Sequence, residues 1–284
     1  MFSSLKSELD HHLKKSNIKP NKNLGQCFLV SEGALSKIIE AGEIKKGDKI
    51  LEIGAGTGIL TQELLKRGAL VVAVEKDARL FEILKKKFGE AQKNKKIFLL
   101  KGDFLRLKFP NFLIERGFSR RNFKVIANLP YQITSPVLKM LCEKDFLPLS
   151  ILLTIQKEVA QRICAKPGAI NSLAVMVQAV SKNVRILSTF PPSNFYPSPK
   201  VNSALIKIEG LAHPEGIKIE DLRAVIKAGF GSKRKKLKKN LEKAFPKSKE
   251  KIETLWKELK LEENLRAQDL EVSQWVELAK RVKK

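Results

Sequence analysis

What this 284-residue sequence has little of narrows its class before any motif is read. It has three cysteines, Cys27, Cys142 and Cys164, odd in number and far apart. That excludes a disulfide framework and a cysteine-based metal cluster, so the expectation is reduced thiols in a cytoplasmic protein and no metal. Long hydrophobic runs are missing as well. No apolar stretch approaches the ~20 residues that a membrane span needs. Residues 1–15 are polar and charged, without the apolar core of a signal peptide, so neither a membrane nor export is expected. Acidic residues are scarce: 30 Asp and Glu stand against 55 Lys and Arg, a net charge of +25. An imbalance of that size asks for a polyanionic partner, a nucleic acid or an anionic surface.

Two glycine signatures are absent in an informative way. The apolar run at 50–53 reads as a buried parallel strand, and Gly54, Gly56 and Gly58 follow it before a helical pattern begins. Strand, glycine turn and helix open a doubly wound nucleotide-binding fold. A dinucleotide fingerprint would need its third glycine at Ile59, and a phosphate-binding loop would need Gly-Lys-Ser/Thr; neither is present. The pattern is E-x-G-x-G-x-G from Glu52, which resembles that of S-adenosylmethionine-dependent methyltransferases. A second apolar strand, 69–74, ends in Glu75, 21 residues after Gly54. An acid at that strand tip is placed to accept from a ribose diol.

Further apolar strands are expected at 97–100, 124–127 and 150–156, with two late ones at 184–190 and 201–208. Helices are expected near 31–41, 77–88, 157–164 and 171–181. This alternation predicts an α/β protein, a Rossmann-like, mostly parallel seven-stranded sheet with helices on both faces. Ligands in such sheets lie beyond the C-terminal strand ends. The tips Gly54 to Gly58, Glu75, Asp103 and Asn128 should therefore converge on one crevice. After 210 the spacing becomes helical throughout. The expected division is a basic N-terminal arm at 1–23, a cofactor-binding domain at 24–210 and a small helical domain at 211–284. Within the last, 232–251 holds ten basic and two acidic residues, densest at 233–239. Placed on a helix after Phe230-Gly231, that run is expected to contact RNA phosphates.

Asn128-Leu129-Pro130-Tyr131 resembles the (Asn/Asp)-Pro-Pro-(Tyr/Phe) signature of methyltransferases acting on nucleobase amino groups. The exocyclic nitrogen of adenine is a poor nucleophile because its lone pair is delocalised into the ring. An acceptor such as Asn128 Oδ1, with a neighbouring carbonyl, can hold its hydrogens and aim the lone pair, while Tyr131 stacks on the base.

With these motifs the chain resembles the small-subunit ribosomal RNA adenine N6-dimethyltransferases over nearly its whole length. The resemblance is carried also by Leu24-Gly25-Gln26-x-Phe28-Leu29, Gln156-Lys157-Glu158-Val159, Phe195-x-Pro197-x-Pro199-Lys200-Val201-x-Ser203-Ala204 and Phe230-x-x-Lys233-Arg234-Lys235-x-Leu237. It implies a class I methyltransferase fold and S-adenosylmethionine as cofactor. The implied substrate is two adjacent adenosines near the 3′ end of 16S rRNA, with a role in small-subunit biogenesis, by a monomer bound to the small ribosomal subunit. It also implies that Cys27, Leu29, Gly54, Gly56, Glu75, Asp103 and Asn128 bind the cofactor, and that Tyr131 and Phe195 sandwich the target base. The family usually has Asn or His where this chain has Cys27, a weaker hydrogen-bond partner. Two alternatives share the cofactor motifs: a large-subunit rRNA methyltransferase of the macrolide-resistance type, and a non-enzymatic RNA-binding assembly factor.

Overall fold

The computed structural model describes residues 4–21, 24–232 and 234–282; Lys233, named above in the basic run, lies outside them. In chain order the elements begin with α1 (Leu5–Lys15), β1 (Phe28–Leu29), α2 (Glu32–Gly42), β2 (Lys49–Ile53), α3 (Ile59–Lys66), β3 (Leu70–Glu75), α4 (Ala78–Lys87), α5 (Gly89–Lys93) and β4 (Ile97–Lys101). Next come α6 (Asn111–Ile114), β5 (Phe123–Asn128), α7 (Thr134–Cys142), β6 (Ser150–Gln156), α8 (Lys157–Ile163), α9 (Ser172–Ala179), β7 (Asn183–Phe190), β8 (Phe195–Tyr196) and β9 (Ser203–Glu209). Four helices close the chain: α10 (Ile219–Gly229), α11 (Leu237–Ala244), α12 (Lys249–Glu258) and α13 (Val272–Val282). None of the described helices is long and apolar enough to cross a membrane.

Seven strands form one sheet in the order β4-β3-β2-β5-β6-β9-β7. The first five are parallel, whereas β9 inserts antiparallel between β6 and β7. Strand alternation sorts the apolar side chains onto two faces. Leu51, Ile53, Val72 and Val125 enter one core with α7, α9 and α10 to α13, while Ile50, Val71, Ala73 and Ile126 enter another with α1 to α4. Helices on both faces explain why the parallel strands read as continuous apolar runs. The strand order reverses between β2 and β5, so their C-terminal ends open a crevice there.

The segment expected to be a basic arm contains α1, started by a reciprocal Ser4–Ser7 capping box and held by buried Leu9 and Leu13. The helices after 210 share one apolar cluster with the sheet. A small antiparallel pair, β1 with β8, sets Phe28 opposite Tyr196 and Leu29 opposite Phe195. Two-residue strands carry no periodic signal, which is why the sequence pattern does not announce them.

The basic run needs a correction. Arg234 to Lys236 lie in a turn, and α11 begins only at Leu237. Lys238 is a structural cation, with its Nζ 2.7 Å from Glu253 and 2.9 Å from Glu263. Arg234, Lys235, Lys236 and Lys239 are exposed. Asn240 closes the turn by donating from Nδ2 to the carbonyls of Gly229 and Ser232, at 2.8 and 3.0 Å.

Candidate active site

The glycine turn after β2 is the floor of the site. Gly54 N–H donates to the Val74 carbonyl at 2.8 Å, which locks the turn onto β3. Gly56 has φ of 61°, and a Cβ there would stand 3.3 Å from the Phe28 ring. Gly58 has φ of 78°, and a Cβ would meet Phe88 at 2.5 Å. Only a residue without a side chain takes this path without strain, and the bare backbone it leaves is a cradle that a Cβ would fill.

Glu75, at the tip of β3, is 6% exposed. One carboxylate oxygen accepts from Gly56 N–H and the other from Asp77 N–H, both at 2.8 Å. Burial pushes its carboxyl above the usual carboxylate value, against those two N–H groups, which favour the anion. Two backbone donors do not exhaust a carboxylate, which offers about four lone-pair sites.

Asp103, at the tip of β4, accepts from Leu105 N–H at 3.1 Å and pairs with Lys76 at 2.9 Å. Burial opposes its ionisation, but Lys76, that N–H group and Arg106 outweigh it and hold the carboxyl below its usual value. Asn128, at the tip of β5, donates from Nδ2 to the Cys27 carbonyl at 3.0 Å. Since a carbonyl can only accept, the amide is fixed with Oδ1 as its open acceptor.

Cys27 thus takes part through its backbone. Burial pushes its thiol above the ordinary value, so it is a neutral thiol at physiological pH rather than a nucleophile. Cys142 is fully buried, its thiol pushed up to about 12 by burial, and is a packing residue.

One cleft is lined by all seven residues expected to hold a cofactor: Cys27, Leu29, Gly54, Gly56, Glu75, Asp103 and Asn128. Tyr131 and Phe195 are not part of that lining. Tyr131 stands just past the cleft edge formed by Pro130, and its hydroxyl is 2.7 Å from Ser203 Oγ, a buried group on β9. Phe195 is 3% exposed in the core on the α1 to α4 side, held by its pairing with Leu29. Among the described residues no cluster of His, Cys, Asp and Glu is arranged to hold a metal ion.

Three contributors escape sequence reading. Glu52 is 1% exposed at the cleft floor and accepts from Thr61 Oγ1 at 2.6 Å. Burial raises its carboxyl to about 8, so it is mostly protonated at neutral pH. Gln26 ties the N-terminal segment to α4 by donating to Asp77 at 3.0 Å. Ser203 orients Tyr131. Glu52, Gln26 and Ser203 all stand inside recognisable motifs, but spacing alone does not tell which neighbour each side chain meets.

Comparison with known proteins agrees with this geometry. A family model described as ribosomal RNA adenine dimethylase matches residues 17–284. The chain is 40% identical over 280 residues to ribosomal RNA small subunit methyltransferase A of Nostoc punctiforme, covering 92% of this chain and 94% of that one. It is 41% identical over 235 residues to the probable ribosomal RNA small subunit methyltransferase A of Thermococcus sibiricus, covering 82% and 79%. Among solved structures it is similar to a dimethyladenosine transferase from Plasmodium falciparum, with TM-score 0.73 and 25% identity over 88% of this chain and 95% of that one. The fold is also that of the 23S rRNA methyltransferase ErmE, with TM-score 0.66 and 23% identity over 90% and 100%.

Proposed function

From the premise that the chain belongs to the ribosomal RNA adenine dimethylase family, we propose which of its groups perform the reaction and on what. The protein is an S-adenosylmethionine-dependent rRNA adenine N6-dimethyltransferase of the small-subunit type. Its substrate is two adjacent adenosines near the 3′ end of 16S rRNA, and it acts as a cytoplasmic monomer on the small ribosomal subunit. The helical segment 211–284 presents the exposed lysines of its turn to RNA phosphates.

The observation that carries this reading is the placement of Asn128-Leu129-Pro130-Tyr131. Asn128 is shared between the cofactor cleft and its rim, and Tyr131 stands outside the cleft, anchored to Ser203. S-adenosylmethionine, when bound, supplies an electrophilic methyl group. Bare backbone at Gly54 and Gly56 and the walls Cys27 and Leu29 fit its methionine part. The remaining lone pairs of Glu75 accept from its ribose hydroxyls, and Asp103 accepts from its adenine amine.

The target adenine leaves the RNA stack cheaply in a single-stranded loop. Tyr131 takes one face of the base; Phe195 is 3% exposed, so it takes the other only after a local rearrangement frees its ring. Asn128 Oδ1 accepts one amino hydrogen and a neighbouring backbone carbonyl the second. That biases the nitrogen toward tetrahedral geometry and points its lone pair into the cleft. No strong general base is required, because the alkylated nitrogen is acidic and sheds its proton to water.

The test is methyl transfer from labelled S-adenosylmethionine to unmethylated small subunits, with large subunits in parallel and the rRNA digested for dimethyladenosine. Label on small-subunit rRNA from the wild type, absent with Asn128→Ala, is expected. Label confined to large-subunit rRNA would move the protein to the resistance-type enzymes. No label on either would make it a binding factor.

A further inference from the structure

A second concave surface lies away from the cofactor cleft, between α1 and α4. It encloses about 590 Å³. Its floor is apolar, from buried Ile18 and Ile83. One wall carries His11, His12 and Lys15, the other Arg79, Lys86 and Lys87. Among the described residues that line it, Glu82 is the one acidic side chain. Lys15, Arg79 and Lys86 are exposed at the rim. The walls are fixed relative to each other, since Lys87 Nζ lies 2.5 Å from Glu8 and Leu9 and Leu13 are buried beneath α1.

Helix α1 links this groove to the site. At the other end of α1, the Lys6 ammonium sits 3.6 Å above the Tyr196 ring, and Tyr196 is the exposed neighbour of Phe195. From residue 6 to residues 12–15 the helical rise is about 9–14 Å. A strand leaving the target-base position past Tyr196 would therefore follow α1 into the groove. A basic rim suits phosphates, and an apolar floor with imidazole walls suits a splayed base. A free phosphate would leave that floor uncovered, and a helical duplex has no splayed base to place there.

We infer that the α1–α4 groove binds a single-stranded stretch of the substrate RNA adjoining the target adenosines, taking one base against Ile18, Ile83 and the histidines and its flanking phosphates at Lys15 and Lys86. The inference rests on the reading of the protein as an rRNA methyltransferase. Burial and the nearby Lys87 hold His12 below its ordinary value despite Glu8, which keeps its ring neutral and suited to stacking at pH 7.

The test compares full-length wild type, Lys15→Gln/Lys86→Gln and a control, Lys45→Gln/Lys46→Gln, at exposed positions by the opposite end of β2. Affinity for unmethylated small subunits is measured across a salt series, alongside cofactor affinity and thermal midpoint. Leaving two phosphates without a lysine should lower the log–log salt slope by about 1.4, weakening binding roughly tenfold at 0.15 M salt. The control, cofactor affinity and midpoint should not change. His11→Ala should weaken binding, because it removes one wall against which the splayed base packs.

Groove variants that match the control in both affinity and slope would overturn the inference while leaving the methyltransferase reading intact. A wild type that neither binds nor methylates the subunit would overturn both.

Discussion

Glu52 shows how one residue couples fold and pH. Its carboxyl is buried at the end of β2 with Thr61 as donor, and burial lifts it from an ordinary 4.5 to about 8. Between these values the folded chain holds a proton that the unfolded chain has released. Stability from this group is therefore full below about pH 4.5 and declines as pH rises toward 8, by at most about 1.4 kcal/mol per pH unit. Glu52→Gln keeps an acceptor for the Thr61 hydroxyl and removes the titration. Denaturant unfolding at pH 5 and pH 8 should show the wild type losing more stability across that interval than the variant. Equal losses would mean that Glu52 ionises without cost in the folded state. Asp77 works in the opposite sense. The Arg79 guanidinium beside it, and the Gln26 amide, outweigh burial and hold it at about 2, so it remains ionised and keeps α4 capped at any physiological pH.

At the scale of elements, close approach between helices sets the main constraint after residue 210. Gly229 ends α10, where a Cβ would fall 2.3 Å from Trp275 Cη2 and 2.7 Å from Leu237 Cδ1. Trp275 is fully buried and stacks on Phe230, ring centroids 5.4 Å apart, so it has nowhere to retreat. Gly229→Ala should destabilise the protein by about 1–3 kcal/mol through overpacking, read as a lower urea midpoint. An unchanged midpoint would mean that α13 can slide aside. The same packing positions the basic turn: Asn240 pins it to the end of α10, and buried Leu237 starts α11. Exposed lysines are thus carried on a rigid base.

Over the whole molecule, the charge of +25 is distributed unevenly between structural and available cations. Lys238 is committed to Glu253 and Glu263, whereas Lys235, Lys236 and Lys239 are exposed beside it. Replacing those three by Glu should weaken binding to small subunits and flatten its salt dependence, by about 0.7–0.9 slope units for each phosphate no longer neutralised. An unchanged slope would reduce the turn to a solvated surface. Its effect and that of the α1–α4 groove should be close to additive, because the two lie in different apolar clusters on opposite faces of the sheet.

Local sequence was enough to specify the Rossmann-like class and the strand tips that meet in one cleft. Strand period, glycine alternation and acids at strand ends are short-range signals, and the sheet rule that gathers C-terminal tips into one crevice extends them into three dimensions. Gly54, Glu75, Asp103 and Asn128 meet in one cleft for that reason. Three matters were decided only by the tertiary structure. Insertion of β9 between β6 and β7 depends on pairing with a strand 47 to 59 residues earlier as well as with the nearer β7, and the period of a strand holds no information on either choice. The protonation of Glu52 and the confinement of Lys238 depend on burial and on distant carboxylates, so side chains that look alike in sequence differ in charge or availability. The third is α1, which reads as a basic arm because its charges outnumber its apolar residues; the contact surface for Leu9 and Leu13 exists only once the sheet has assembled.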